Sequence, residues 1–556
     1  MKGFPKKKNS TMKKLLRKKI ILPILATVVL LTTTAYKSDF FEIAKQIEIF
    51  TTLFKEINMN YVDETNPGDL MDTAIKNMLK DLDPYTVFFN EQDVEAARIN
   101  STGDYTGVGA TVKTLKDKLV IVEPFKDYPA DQAGLKAGDE IIKVDNIVVA
   151  DFKDDAGELL QGSPGSKVNV TYVRQGETKT ATITRQEVEV KAVPLYDMVN
   201  ETVGYVALSK FTKTASKETG NAIKALKADG AKQIILDLRG NPGGLLIEAV
   251  NIVNLFVPKN QVVVTTKSKV EKYNKTYTTQ NEPLDTEIPV VVLIDGGSAS
   301  ASEIVSGSLQ DLDRAVVIGS RSFGKGLVQR PKPLTYGTQL KVTISRYYTP
   351  SGRCIQALDY WHRDEKGNAV RTKQENYNAF RTKNGRSVFD GGGVVPDLEL
   401  SESKVSTMAK YIEDQDYIFN YATNYYYSNS VSDLMSFQLS DADFNDFNSY
   451  LKSNNFAFKT KTEEALARVL DVAKEEELDD DLNATYSAII SKLNTVKSQA
   501  ISSNKEQLKT LLENEIIKRY FYREGLYKYF LANNIEVKKA TDILANSSKY
   551  KGYLKP

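Results

Sequence analysis

The 556-residue chain has one cysteine, one histidine and one tryptophan. A single cysteine, Cys354, excludes an intrachain disulfide, so the fold must be held by its core alone. The one histidine, His362, lies in the polar stretch "DYWHRDEKGN" and leaves a Ser-His-Asp triad resting on a poorly placed residue. There is no His/Cys/Asp cluster at metal-ligand spacing either, so neither a metal nor an organic cofactor is expected. Acids are missing from the first 19 residues, which hold nine Lys or Arg; the remainder carries 65 Lys or Arg against 72 Asp or Glu, a net charge of −7. A mildly acidic body argues against a nucleic-acid partner.

The basic run leads into "IILPILATVVLLTTTAY", Ile20 to Tyr36, 17 uncharged residues that read as an export signal. "TTA" at Thr33 to Ala35 offers a small-x-small cleavage site, and the length is near the lower limit for a spanning helix. Residues 1–36 therefore read as a cleaved signal peptide or as a retained N-terminal membrane anchor. Both leave the basic residues in the cytoplasm and the body outside. Lys-, Asn- and Tyr-rich usage with a bacterial-type signal places the expected location in a bacterial envelope, in the periplasm or on the inner membrane facing it.

A prior of about 150 residues per domain suggests three or four units. Residues 37–102 show apolar positions at helical spacing (Phe40, Ile43, Ile47, Phe50, then Leu70, Ala74, Met78), a helical region that reads equally as a packing subdomain or a dimerisation arm. From Tyr105 short β-branched runs punctuated by Gly, Pro and Asp predict a compact β-rich module over 103–190. Over 191–400 near-continuous apolar strands alternate with amphipathic helices, one over Ala215 to Ala228, one from Leu245 and one from Ser300, which predicts an α/β core with a helix-covered sheet. Residues 401–556 turn helical, with one face from Leu466, Val469, Leu470 and Ala473 and another from Leu508, Leu511, Leu512 and Ile516.

Gly319 to Lys325 spells G-x-x-x-x-G-K, one residue short of a phosphate loop. The next residue is Gly326 rather than Ser or Thr, and Pro331 and Pro333 exclude the helix that such a loop requires. Upstream, "VLIDGGSASASEIVSGSLQD" reads as a buried strand, a Gly-Gly turn and a serine-rich helix start. A serine there sits in the field of a helix N-terminus, as a nucleophile requires. Without a usable histidine, the base would be a lysine held neutral by burial. Lowering its pKa from ~10.4 to ~7.5 costs about 4 kcal/mol, which a buried site flanked by Phe323 and close-packing glycines is expected to impose on Lys325. "DLRGNPGGLL" places backbone amides at a third strand end, where an oxyanion hole would lie.

Together "DLRGNPGG", "SASASEI" with "LQD", "FGKGLVQ", "YYTPSGRCIQ" and "GVVPD" resemble the carboxyl-terminal processing peptidases, or tail-specific proteases, over about residues 40 to 400. The resemblance implies an α+β multidomain protein: a crotonase-like α/β peptidase core, an inserted PDZ domain, an N-terminal helical arm and a C-terminal helical domain. It implies Ser300 as nucleophile, Lys325 as general base and Gln329 as the residue that orients it. Oxyanion donors would be the amide of Ala301 and that of Gly243 or Gly244, with Asp311 and Glu303 in support; for Asp311 a structural salt bridge is an equal alternative. "GVGA", Gly107, Val108, Gly109 and Ala110, is similar to the PDZ loop that captures a chain-terminal carboxylate. The implied activity is an exported serine endopeptidase that takes proteins by apolar C-terminal tails, with oligomerisation through the helical arm and an activating partner left open. The alternative from another class is a catalytically inactive envelope PDZ scaffold.

Overall fold

Apolar side chains on both faces of the central strands dictate the architecture, because each face then needs its own cover. The computed structural model describes residues 40–556 apart from 116, 153, 154 and 401–404, so the segment read as an export signal lies outside the described residues. Two units are distinguished, one ending at Phe88 and the other running from Phe89 to Pro556.

In the first unit, residues 40–60 are helical, and a second helix, Pro67–Lys80, is capped by the Asn66 side chain. The expected apolar positions stay largely uncovered within this unit: Phe40, Ile43, Ile47, Phe50 and Met78 are all exposed. Among the described residues no helix is long and apolar enough to cross a membrane.

The second unit opens with the β-rich module. Strands Ala110–Thr114, Leu119–Pro124, Glu140–Val144, Lys167–Arg174 and Glu177–Thr184 follow one another in a sheet around a small core that includes Leu119, Ile121, Ile141, Val168 and Ile183. Its entry and exit strands, Asp104–Gly107 and Gln186–Glu189, pair antiparallel and close the module at its base.

The six-stranded core sheet contains β1 (Leu195–Met198), β2 (Val203–Ala207), β3 (Gln233–Asp237), β4 (Val290–Ile294), β5 (Val316–Gly319) and a short β8 (Leu398–Glu399), in that spatial order. Only β1 runs antiparallel to its neighbour; the others are parallel, joined by α1 (Ala215–Ala228), α2 (Leu246–Asn254) and α3 (Ala301–Asp311). After β5 the chain forms no helix but loops into an antiparallel pair, β6 (Leu327–Pro333) and β7 (Gln339–Tyr348), as the two prolines require. Successive strand residues point to opposite faces. Val206, Leu236, Val292 and Val317 pack with the α1, α2 and α3 side chains Ile223, Val250 and Ile304 in one cluster.

Tyr205, Ile235, Val291, Leu293, Val316 and Ile318 face the other way, and their cover comes from the far end of the chain. After an aromatic-rich helical core of its own, the C-terminal region runs through a long α4 (Lys505–Asn533) into α5 (Ile535–Ala545) and α6 (Ser547–Tyr553). Val537, Ala540, Ile543, Leu544 and Tyr550 pack on that second face. The Tyr550 hydroxyl donates to the Val290 carbonyl at 3.1 Å and accepts from the Val290 amide at 3.0 Å. The C-terminal helical region is thus in part a layer of the core. Of the two expected helical faces, Leu508, Leu512 and Ile516 are fully buried, whereas Val469 points outward.

Candidate active site

Three strand ends converge at the carboxyl edge of β3, β4 and β5, and short polar side chains tie them together. After β4, Asp295 accepts from the amides of Gly240 at 2.8 Å and Gly297 at 2.9 Å, while the Ser298 hydroxyl donates to Leu238 O at 2.7 Å. Asn241, fully buried, donates its side-chain amide to Leu208 O, and its carbonyl accepts from Ala299 N at 3.0 Å and Ser302 Oγ at 2.9 Å. The "GNPGG" turn is thereby pinned against the start of α3.

Ser300 is the N-cap of α3 with φ 55° and ψ −109°, a conformation that non-glycine residues rarely adopt. Both of its backbone polar groups are held: the amide donates to Glu303 Oε2 at 2.8 Å, and the carbonyl accepts from the Tyr347 hydroxyl at 3.1 Å. Gly243 lies so close that a Cβ there would come within 2.9 Å of both Ser300 Cβ and Ala301 N. Its φ of +98° independently calls for glycine.

The Gly243 amide donates to Asn241 Oδ1 at 2.9 Å, so it is already engaged. Of the two glycines offered as oxyanion donors, Gly244 is the one whose N–H has no acceptor among the described residues, as is also true of Ala301 N. Two donors at a helix start and a neighbouring turn suit a developing oxyanion.

Lys325 lies in the 320–326 loop after β5, and its amide donates to Glu303 Oε2 at 2.9 Å, the oxygen that also takes Ser300 N. The backbones of the two residues are therefore within two hydrogen-bond lengths of each other. Glu303 Oε1 accepts from Ser322 Oγ at 2.6 Å and Gly324 N at 2.7 Å. Burial pushes the Glu303 carboxyl up and these four donors pull against it. Burial, reinforced by the charge of Glu303, raises the Tyr347 phenol well above its ordinary value, so its hydroxyl stays a donor. Phe323, two residues before Lys325, is 42% exposed.

Gln329, on β6, donates its side-chain amide to Thr343 Oγ1 of β7 at 3.1 Å, across a register shift in the hairpin. Asp311, at the far end of α3, forms a fully buried ion pair with Arg353 at 2.8 Å and accepts from Thr349 Oγ1 and Ser351 N at 2.5 and 3.0 Å. Its surroundings are those of a structural anchor for the "TPSGR" turn. Cys354, next to Arg353, is half-buried, and burial raises its thiol. His362 is exposed on a hairpin and pairs with Asp359. Sequence reasoning did not single out Tyr347, Asn241, Ser322 or Arg353. The Ser300-x-x-Glu303 spacing of a capping box was the visible signal for the carboxylate.

In the β-rich module, Gly107, Val108 and Gly109 are buried and Ala110 is half-buried. They lead into a groove of about 290 Å³ between strand Ala110–Thr114 and the short turn Ala156–Leu160, lined by Val108, Val112, Phe125 and Leu160. A Cβ on Gly109 would strike Tyr128 at 2.4 Å, so the loop backbone needs glycine there.

Three family models match in the same order as these layers: PDZ domain over residues 106–184, Peptidase family S41 over 202–360, and Probable PDZ-protease, C-terminal helical domain over 408–544. A "Carboxy-terminal-processing protease" of Bartonella bacilliformis is 36% identical over 321 residues, which cover 56% of this chain and 73% of that one. A "Probable CtpA-like serine protease" of Staphylococcus haemolyticus is 35% identical over 317 residues, covering 56% of this chain and 63% of that one. Among solved structures, a photosystem II D1 C-terminal processing protease shows 27% identity and a TM-score of 0.35, covering 64% of this chain and 88% of that one. A PDZ-bearing peptidase fold with a C-terminal helical domain is the class so defined. The chain belongs to the carboxy-terminal-processing proteases of peptidase family S41, although the match spans less than two thirds of the staphylococcal relative's length.

Proposed function

We propose that the protein is an exported serine endopeptidase that captures protein C-terminal tails in its PDZ groove and cleaves them with a Ser300/Lys325 dyad. The observation that carries this reading is the shared carboxylate oxygen of Glu303, which brings the backbones of Ser300 and Lys325 together at the start of a helix. Neutral Lys325 takes the Ser300 proton as the hydroxyl oxygen attacks the substrate carbonyl, and the amides of Ala301 and Gly244 receive the oxyanion. Lys325 then protonates the leaving amine, and water, deprotonated by the same lysine, releases the acyl group. Gln329 would orient the lysine from β6. The apolar walls of the groove beside the glycine loop favour an apolar tail ending in a free carboxylate.

The basic and apolar residues 2–36 support export into a bacterial envelope, with or without retention on the inner membrane. The uncovered apolar residues of the first unit support oligomerisation through the helical arm.

Cleavage of an unfolded reporter with an apolar C-terminal tail tests the dyad. Wild type is expected to cut near neutral pH, and Ser300→Ala and Lys325→Ala to lose on the order of 10⁴-fold or more in kcat/KM. Retained cleavage in either variant overturns the dyad. Binding of the tail without cleavage by any of the three would favour the inactive scaffold.

A further inference from the structure

Glu303 is a charged side chain with no surface exposed, and its carboxylate is met by four donors: the amides of Ser300, Gly324 and Lys325 and the Ser322 hydroxyl. A carboxylate offers acceptors only, so all four bonds can form together when it is ionised; a proton on either oxygen would be driven against a donor. Such an arrangement is costly to bury and persists where the surrounding structure requires it.

The donors are distributed in an informative way. One oxygen serves the backbone of the candidate nucleophile and that of the candidate base; the other serves two more residues of the loop that carries the base. A single side chain in the first turn of α3 therefore clamps the 320–326 loop to Ser300, whose strained backbone is held at its other polar group by Tyr347. Ser322 passes the restraint outward, since its hydroxyl accepts from Val394 N at 2.7 Å.

We infer that Glu303 is the positioning residue that sets the register between Ser300 and Lys325. Its carboxylate acts through the backbones of the two residues that carry the reacting side chains. The inference rests on the Ser300/Lys325 reading above. Glutamine is the sharp probe because it matches glutamate in shape but presents an NH₂ group to one pair of donors, leaving two donors facing two donors.

The experiment is steady-state cleavage of the tailed reporter by the full chain and its Glu303→Gln and Ser322→Ala variants. Anisotropy binding of a fluorescent, uncleavable tail peptide and thermal unfolding accompany it. Glu303→Gln is expected to lose about 100-fold in kcat, the scale of an ångström-sized misplacement, with KM and tail affinity within about threefold of wild type. Ser322→Ala, which removes one donor, is expected to lose about tenfold with the same split. Should Glu303→Gln not fold, Ser322→Ala decides. An unchanged kcat, or a rise in KM matched by lost tail affinity, overturns the inference. Cleavage by Ser300→Ala overturns the dyad itself; an inert Ser300→Ala beside a fully active Glu303→Gln removes only the role assigned to Glu303.

Discussion

The strand-end site and the PDZ module are attached to the same core by opposite means. At the site the bonds are buried and reciprocal: Asn241, Ser298, Glu303 and Asp311 each satisfy several partners out of contact with water. The PDZ module meets the C-terminal helices in part through ion pairs near solvent. Lys113 pairs with Asp416 at 2.5 Å and Lys126 with Glu524 at 3.5 Å, all four about half exposed; Arg523 reaches Glu123, and the Tyr522 hydroxyl donates to Asp131 at 2.7 Å. Tyr522 also breaks the regular path of α4, with φ 58° in the middle of a long helix. Buried networks lose much when one member goes, whereas exposed ion pairs are worth about 0 to 1 kcal/mol each. The contrast is between a rigid strand-end site and a module whose ion-pair attachments are cheap to change.

The steepest test of that contrast is Arg353→Ala, which leaves the Asp311 carboxylate buried without its ion-pair partner and is expected to destabilise the core by about 3–5 kcal/mol. Denaturant unfolding monitored by far-UV circular dichroism checks it; a midpoint equal to that of wild type would show that water reaches Asp311. Gly243→Ala comes next. The added methyl meets Ala299 O at 2.7 Å and Ala301 N at 2.9 Å, so reporter cleavage is expected to fall about 100-fold as the start of α3 shifts. Activity within twofold of wild type would mean that the turn yields freely. Lys126→Ala should cost least, under about 1 kcal/mol of global stability, while amide exchange in strand Leu119–Pro124 quickens as the module loosens. A loss as large as that of Arg353→Ala would erase the distinction between the two attachments.

Local patterns made much of this legible. The helix read over Ala215 to Ala228 has those limits, and the helices foreseen from Leu245 and Ser300 begin one residue later, because capping residues announce a helix they do not join. The continuous apolar strands announced a sheet buried on both faces. They did not say that α5 and α6, some 240 residues after β4, supply the second cover, since an amphipathic face shows that it needs a partner without naming one.

What the sequence by itself determined, then, was the type and order of the elements, the PDZ insertion, and Ser300 and Lys325 as candidates at two strand ends. Periodicity, glycine turns and motif spacing are local quantities, and composition had already removed histidine and metal chemistry from expectation. Only the tertiary structure decided that Glu303 joins the two backbones, that Asn241 engages the Gly243 amide and leaves Gly244, that Asp311 pairs with Arg353, and that Tyr347 holds the Ser300 carbonyl. Each of these depends on directional bonds between residues distant in sequence, and such bonds acquire partners once the sheet has brought its strand ends together.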